Sequence, residues 1–171
     1  IRDQETAQTA IEASLTGHLV FSTLHTNDAA SAITRLMDIG IEPFLLTATI
    51  QGIMAQRLVR RVCDDCKVFY EPADDILRRL SLTTAEVVGS KFAYGKGCAT
   101  CNFTGYRGRM AITEVLEIDD RIREMILDGA STTKVQEAAV EAGLKTLREN
   151  GLKAVFDGVT TVEELLRETI E

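Results

Sequence analysis

Four cysteines constrain this chain more than any other feature. Cys63 and Cys66 form one CxxC pair and Cys98 and Cys101 a second, and the 171 residues contain no other cysteine. Two such pairs can supply four thiolates to one tetrahedral zinc ion. Each pair bends the backbone into a knuckle, and the segment between them closes the site. That segment, residues 67–97, is longer than the roughly 15–20 residues of common zinc-ribbon patterns, so it must carry structure of its own. Two disulfides, or redox exchange at one CxxC, are the alternatives. Disulfides need an oxidising compartment, and nothing in the sequence marks secretion. Redox chemistry needs only one pair. Two complete pairs with no spare cysteine favour a closed, structural zinc site without an open position for catalysis.

Charge narrows the functional classes. Acidic residues number 26 and basic residues 19, for a net charge of −7. A general nucleic-acid binder needs a basic surface to displace counterions, so no nucleic-acid partner is expected. No apolar run approaches the roughly 20 residues that span a bilayer. The chain opens on Ile-Arg-Asp-Gln-Glu, without Met and without a basic and apolar leader, which fits a piece of a longer polypeptide.

Periodicity predicts an α/β fold. A helix is expected over 3–17, with Asp3 as N-cap and Ala7, Ala10, Ile11, Ser14 and Leu15 on one face. His18 to Leu24 reads as a strand buried on both faces, as in a parallel sheet. Asn27 or Asp28 caps a second helix that ends at Gly40. A third helix is expected from Pro43 to about Arg57, then a strand over 58–62 leading into the first cysteine pair. Short helices are expected at 73–80 and 83–88, the latter with a capping box of Thr83 and Glu86. A strand follows over 110–118. The last third reads as a compact helical bundle. Its stripes are Ile118, Ile122, Met125 and Ile126; Val135, Ala138, Ala139 and Ala142, capped by Thr133; Leu144, Leu147, Leu152, Val155 and Phe156; and Val162, Leu165, Leu166 and Ile170, behind a capping box of Thr161 and Glu164.

Few residues offer chemistry outside the cysteines. His25 directly follows the expected strand, where open α/β sheets bind ligands, and its ring can donate a hydrogen bond to a phosphate. On position alone, a satisfied core or loop histidine is the commoner alternative. His18, at the strand's other end, reads as structural. The one basic cluster, Arg57 to Arg61, is either a solvated or carboxylate-paired face or a nucleotide or partner contact. No GxxxxGK[ST] phosphate loop is present.

Several segments carry a family resemblance. Ile1-Arg2-Asp3-Gln4-Glu5-Thr6-Ala7 resembles the stretch just after the Walker B glutamate of the secretion ATPase superfamily. Gly17 to Asn27 (GHLVFSTLHTN) is similar to its His box, and Gly40 to Leu45 and Gln56 to Arg60 to the stretches that follow. The cysteine pairs with Gly105-Tyr106-Arg107-Gly108-Arg109 resemble the tetracysteine subdomain of the branch that powers type II secretion and type IV pilus extension, a subdomain that pilus retraction ATPases typically lack. The resemblance implies the C-terminal part of a RecA-like P-loop NTPase domain with an inserted zinc subdomain and a C-terminal helical subdomain, divided at 1–62, 63–108 and 109–171. It implies Zn2+ at Cys63, Cys66, Cys98 and Cys101, a γ-phosphate contact by His25 and a nucleotide contact by Arg2. For the whole protein it implies ATP and Mg2+, a homo-hexamer, an inner-membrane platform protein and membrane-anchored assembly partners, in the cytoplasm at the inner membrane. The segment alone, without a phosphate loop, is expected to be inactive. A zinc-stabilised interaction module without catalysis is the competing expectation.

Overall fold

The computed structural model describes residues 1–169, so Ile170 of the last expected stripe lies outside the described residues. Its helices are α1 (Gln4–Leu15), α2 (Ala29–Asp38), α3 (Pro43–Thr49), α4 (Asp74–Leu80), α5 (Asp120–Leu127), α6 (Thr132–Glu141), α7 (Leu147–Phe156) and α8 (Val162–Glu168). Its strands are β1 (Gly52–Val62), β2 (Lys67–Phe69), β3 (Ala93–Gly95) and β4 (Tyr106–Glu117). The strands pair as β1 with β4 and β2 with β3. The Ile118 amide donates to Gln51 and the Cys63 amide to Gly105, so β1 and β4 run antiparallel.

The chain forms two compact units that interleave in sequence. One holds residues 1–55 and 114–146, the other residues 56–113 and 147–169. In the first unit α2 packs on α6, while α3 packs on α1 and α5. Ile11, Ile33, Leu46, Leu116, Ile122 and Val135 belong to its core. Asp3 caps α1 by accepting from the Thr6 amide, and Asp28 caps α2 by accepting from Ser31 at 2.7 Å. Gly40 follows α2 with φ of 96°, a left-handed turn that suits glycine. The α2 N-terminus has a second acceptor from far along the chain. Oε1 of Glu114, buried on β4, takes the Ala29 N–H at 2.7 Å.

In the second unit α7 packs on α8. Phe92 is buried and meets Tyr70 and Phe156 edge to face, with centroids 6.1 and 5.7 Å apart.

Several elements differ from the sequence expectation. Residues 18–24 form no strand, and Leu19 and Phe21 are 80% and 88% exposed instead of buried. A strand is held by hydrogen bonds to a neighbouring strand, and among the described residues no strand pairs with this segment. The third helix stops at Thr49, and β1 begins at Gly52. Ile53, Ala55 and Val59 alternate as a strand requires, but Arg57 sits on the same face and breaks the apolar alternation. Residues 84–87 form a 3-10 turn, with the Thr83–Glu86 box present. Ser131, not Thr133, caps α6, because its hydroxyl accepts from the Lys134 amide. The last third does not share one unit: α5 and α6 belong to the first and α7 and α8 to the second. Thr161 caps α8 as expected, but the Glu164 carboxylate turns to arginine side chains instead of closing the box.

Candidate functional site

The two cysteine pairs come together because the segment between them zips shut at its base. β2 starts directly after Cys66, and β3 ends shortly before Cys98. They pair antiparallel, Lys67 opposite Gly95 and Phe69 opposite Ala93. The Lys96 amide adds a bond to the Cys66 carbonyl at 3.0 Å. At the second knuckle the chain turns through left-handed conformations at Asn102 and Phe103, with φ of 50° and 59°. Phe103 thereby donates its N–H to the Cys98 carbonyl at 2.9 Å.

Close backbone contact completes the approach. A methyl group on Gly95 would overlap the Gly105 carbonyl, and Gly105 has φ of 78° with Gly95 against it. Both positions therefore require glycine. The Gly105 carbonyl also accepts from Cys63 at 2.9 Å, which ties one knuckle to the other.

The four sulfurs lie within 4.8 Å of one another. Sγ of Cys63 is 3.9 Å from that of Cys98, Cys66 is 3.9 Å from Cys101, and Cys98 is 3.8 Å from Cys101. These are free thiols, not disulfides. A tetrahedral zinc site with Zn–S bonds of about 2.3 Å has sulfurs about 3.8 Å apart, so the spacing is that of a four-thiolate site. Cys63 and Cys101 are buried. Burial pushes the Cys63 thiol up and the Cys66 thiol up to about 12. Burial opposes ionisation of Cys101 as well, yet the Cys98 and Gly105 amides point at its sulfur at 3.2 and 3.3 Å, and it falls to about 6. Such N–H donors stabilise a thiolate, the form that binds metal.

The other expected site residues lie in the first unit. His25 and Arg2 are both exposed. The Ile1 nitrogen donates to the Thr23 carbonyl at 2.6 Å, which ties the residue before Arg2 to the segment leading into His25. His18 is also exposed, its Nδ1 within 3.2 Å of the Ala13 carbonyl at the end of α1.

At Arg60 the basic cluster takes the carboxylate-paired alternative, and what escaped the sequence reading is the identity of its partners. Arg60, from the basic cluster, is paired with buried Glu164 at 2.7 Å. Its guanidinium also lies 4.1 Å from the centre of the Tyr106 ring. Glu164 is far away in sequence, so only its local capping spacing was visible.

The comparisons with known proteins agree with one another. A family model described as type II/IV secretion system protein matches residues 1–167. The type IV pilus assembly ATPase PilB of Thermus thermophilus is 55% identical over 171 residues, which is 100% of this chain and 19% of that protein. The type II secretion system protein HxcR of Pseudomonas aeruginosa is 48% identical over 169 residues, 99% of this chain and 32% of that protein. The solved structure of the pilus retraction motor PilT with bound ADP superposes with a TM-score of 0.64 at 25% identity, covering 100% of this chain and 38% of PilT. The chain thus spans about a fifth to a third of the length of these curated relatives. No helix among the described residues is long and apolar enough to cross a membrane.

Proposed function

The chain belongs to the type II/IV secretion system protein family, and on that premise we propose that it is the C-terminal portion of a hexameric motor ATPase driving pilus or pseudopilus assembly. Residues 1–62 are then the last part of a RecA-like nucleotide domain, 63–108 a zinc subdomain, and 109–171 a strand and helices beyond it. ATP and Mg2+ are bound by the whole protein only. Its partners are an inner-membrane platform protein and membrane-anchored assembly proteins, and it works in the cytoplasm against that membrane.

The observation that carries this reading is the match along residues 1–167, in a chain that also holds a four-thiol cluster of tetrahedral spacing. His25 donates a hydrogen bond to the γ-phosphate, and Arg2 makes a second nucleotide contact. The bond between Ile1 and Thr23 supports this, because it sets both residues on adjoining exposed segments. Zn2+ is held by Cys63, Cys66, Cys98 and Cys101. When bound it supplies a closed cross-link between the two knuckles and no reactive position.

ATP turnover tests the reading at two levels. The 171-residue chain is expected to show none above its His25→Ala variant. In the whole protein, His25→Ala is expected to lower kcat by on the order of 100-fold, the usual effect of removing one donor to developing charge. Turnover by the isolated chain, or an unchanged kcat in the whole-protein variant, overturns it.

A further inference from the structure

All three tyrosines of the chain meet in one place. Tyr70, Tyr94 and Tyr106 line an open groove of about 520 Å³ in the second unit, with Ile76, Thr161 and Glu163 beside them. That volume is within the range of ligand sites. Tyr70 and Tyr94 meet edge to face at 5.9 Å, so one ring keeps both faces clear of the other. The Tyr106 hydroxyl is fixed by Thr161 Oγ1 at 3.0 Å.

The groove has the character of a cation site. An aromatic face attracts a guanidinium through its ring quadrupole, and Arg60 already shows this on Tyr106 at 4.1 Å. The charge of Arg60, however, is committed to Glu164. Glu163 is the one charged residue lining the groove. It is exposed and has no ion pair among the described residues. Burial, and then the nearby Glu163 charge, hold the Tyr70 hydroxyl above its ordinary range, so that group stays neutral. Ring faces and an unmatched carboxylate complement a planar cation.

We propose that this groove receives an arginine side chain from a partner protein, its charge against Glu163 and its flat face on the tyrosine rings. Arginine fits better than lysine because a planar guanidinium can stack and bond a carboxylate at once. The inference does not rest on the motor reading.

The chain has no tryptophan, so its tyrosine emission reports this groove alone. The probe is the peptide acetyl-Gly-Gly-Arg-Gly-Gly-amide, titrated into the 171-residue chain against a twin in which citrulline replaces arginine and removes only the charge. A saturable change in emission is expected for the arginine peptide. The citrulline twin, and Glu163→Gln with the arginine peptide, are each expected to bind about threefold to fivefold more weakly. Tyr94→Phe should retain binding and Tyr94→Leu should lose it to a similar degree, with unchanged circular dichroism in all variants. Absence of a saturable change overturns the proposal. So does equal binding of the citrulline twin, which would mean an uncharged occupant, or an unchanged affinity in Glu163→Gln.

Discussion

The Arg60 side chain grips the Glu164 carboxylate through Nε at 2.9 Å and Nη2 at 2.7 Å, across 104 residues of sequence. The Arg60 amide and the Arg167 guanidinium bond the other oxygen at 2.9 and 2.6 Å. The Glu164 side chain is fully buried. A buried carboxylate is costly unless paired, and removing a partner exposes that cost. Arg60→Ala should therefore destabilise the chain by about 3 kcal/mol. Glu164→Gln leaves arginines that can reach water and should cost about 1 kcal/mol. Urea unfolding of both variants measures the difference, and a smaller loss for Arg60→Ala than for Glu164→Gln would contradict the assignment of the buried charge.

The same pair sets an acid limit. Burial alone would raise the Glu164 carboxyl, but its bonds with Arg60 outweigh burial and hold it below 4.5. A carboxylate with a lower pKa folded than unfolded contributes stability above the unfolded value, and that contribution fades as pH falls through the folded one. Wild type should lose stability relative to Glu164→Gln as pH drops below 4.5. Parallel pH curves for the two proteins would show that Glu164 is not responsible.

Metal content decides the cysteine cluster. Elemental analysis is expected to give one zinc per chain, with all four thiols released only by chelation or denaturation. A closed four-thiolate site contributes on the order of 10 kcal/mol to folding. Cys98→Ser should thus unfold the segment between the pairs and expose it to protease. A metal-free chain, or a variant of unchanged protease resistance, would argue for redox or plain interaction roles.

The contact between Gly95 and Gly105 predicts unequal costs for equal changes. Gly95→Ala and Gly105→Ala drive a methyl group into backbone and should cost about 3 kcal/mol or more. Gly89→Ala, where φ is 84° but nothing lies within 4 Å, should cost only about 1 kcal/mol. Thermal melts of the three variants rank them, and equal losses would mean that the Gly95–Gly105 approach relaxes without cost.

Hydrogen exchange distinguishes the two ends of the His25 segment. Amides 19–25, beside no strand among the described residues, should exchange fast. Amides 29–31, held by Glu114 and Asp28, should be slow. Glu114→Ala should speed exchange at 29–31 by roughly tenfold, the loss of one buried bond. No change there would mean that Asp28 alone fixes the helix start.

What was legible in the sequence follows the range of each interaction. The caps at Asp3, Asp28 and Thr161 act over three residues, and their spacing reveals them. The cysteine pairs announce each other because so few other arrangements satisfy four thiols. The second half of β1 was read as a strand, but its first half was hidden by Arg57, whose chemistry obscures an alternation the backbone obeys. The exposed Leu19 and Phe21 read as buried because their pattern describes a strand with neighbours. The tyrosine groove was invisible for a different reason: Tyr70 just follows β2, Tyr94 lies within β3 and Tyr106 opens β4, so they share no local pattern.

The second unit is built from two stretches separated in the chain by residues 114–146. During synthesis the cysteine knuckles emerge from the ribosome well before their supporting helices. The Val62 amide waits for the Val159 carbonyl, Lys91 for Phe156, and Arg60 for Glu164. A nascent chain can thus gather its four thiols early, yet it cannot seal Phe92 or neutralise Arg60 until residues 147–169 are made. A ribosome that stalls after residue 146 would leave knuckles without a core, a ready substrate for quality-control proteases.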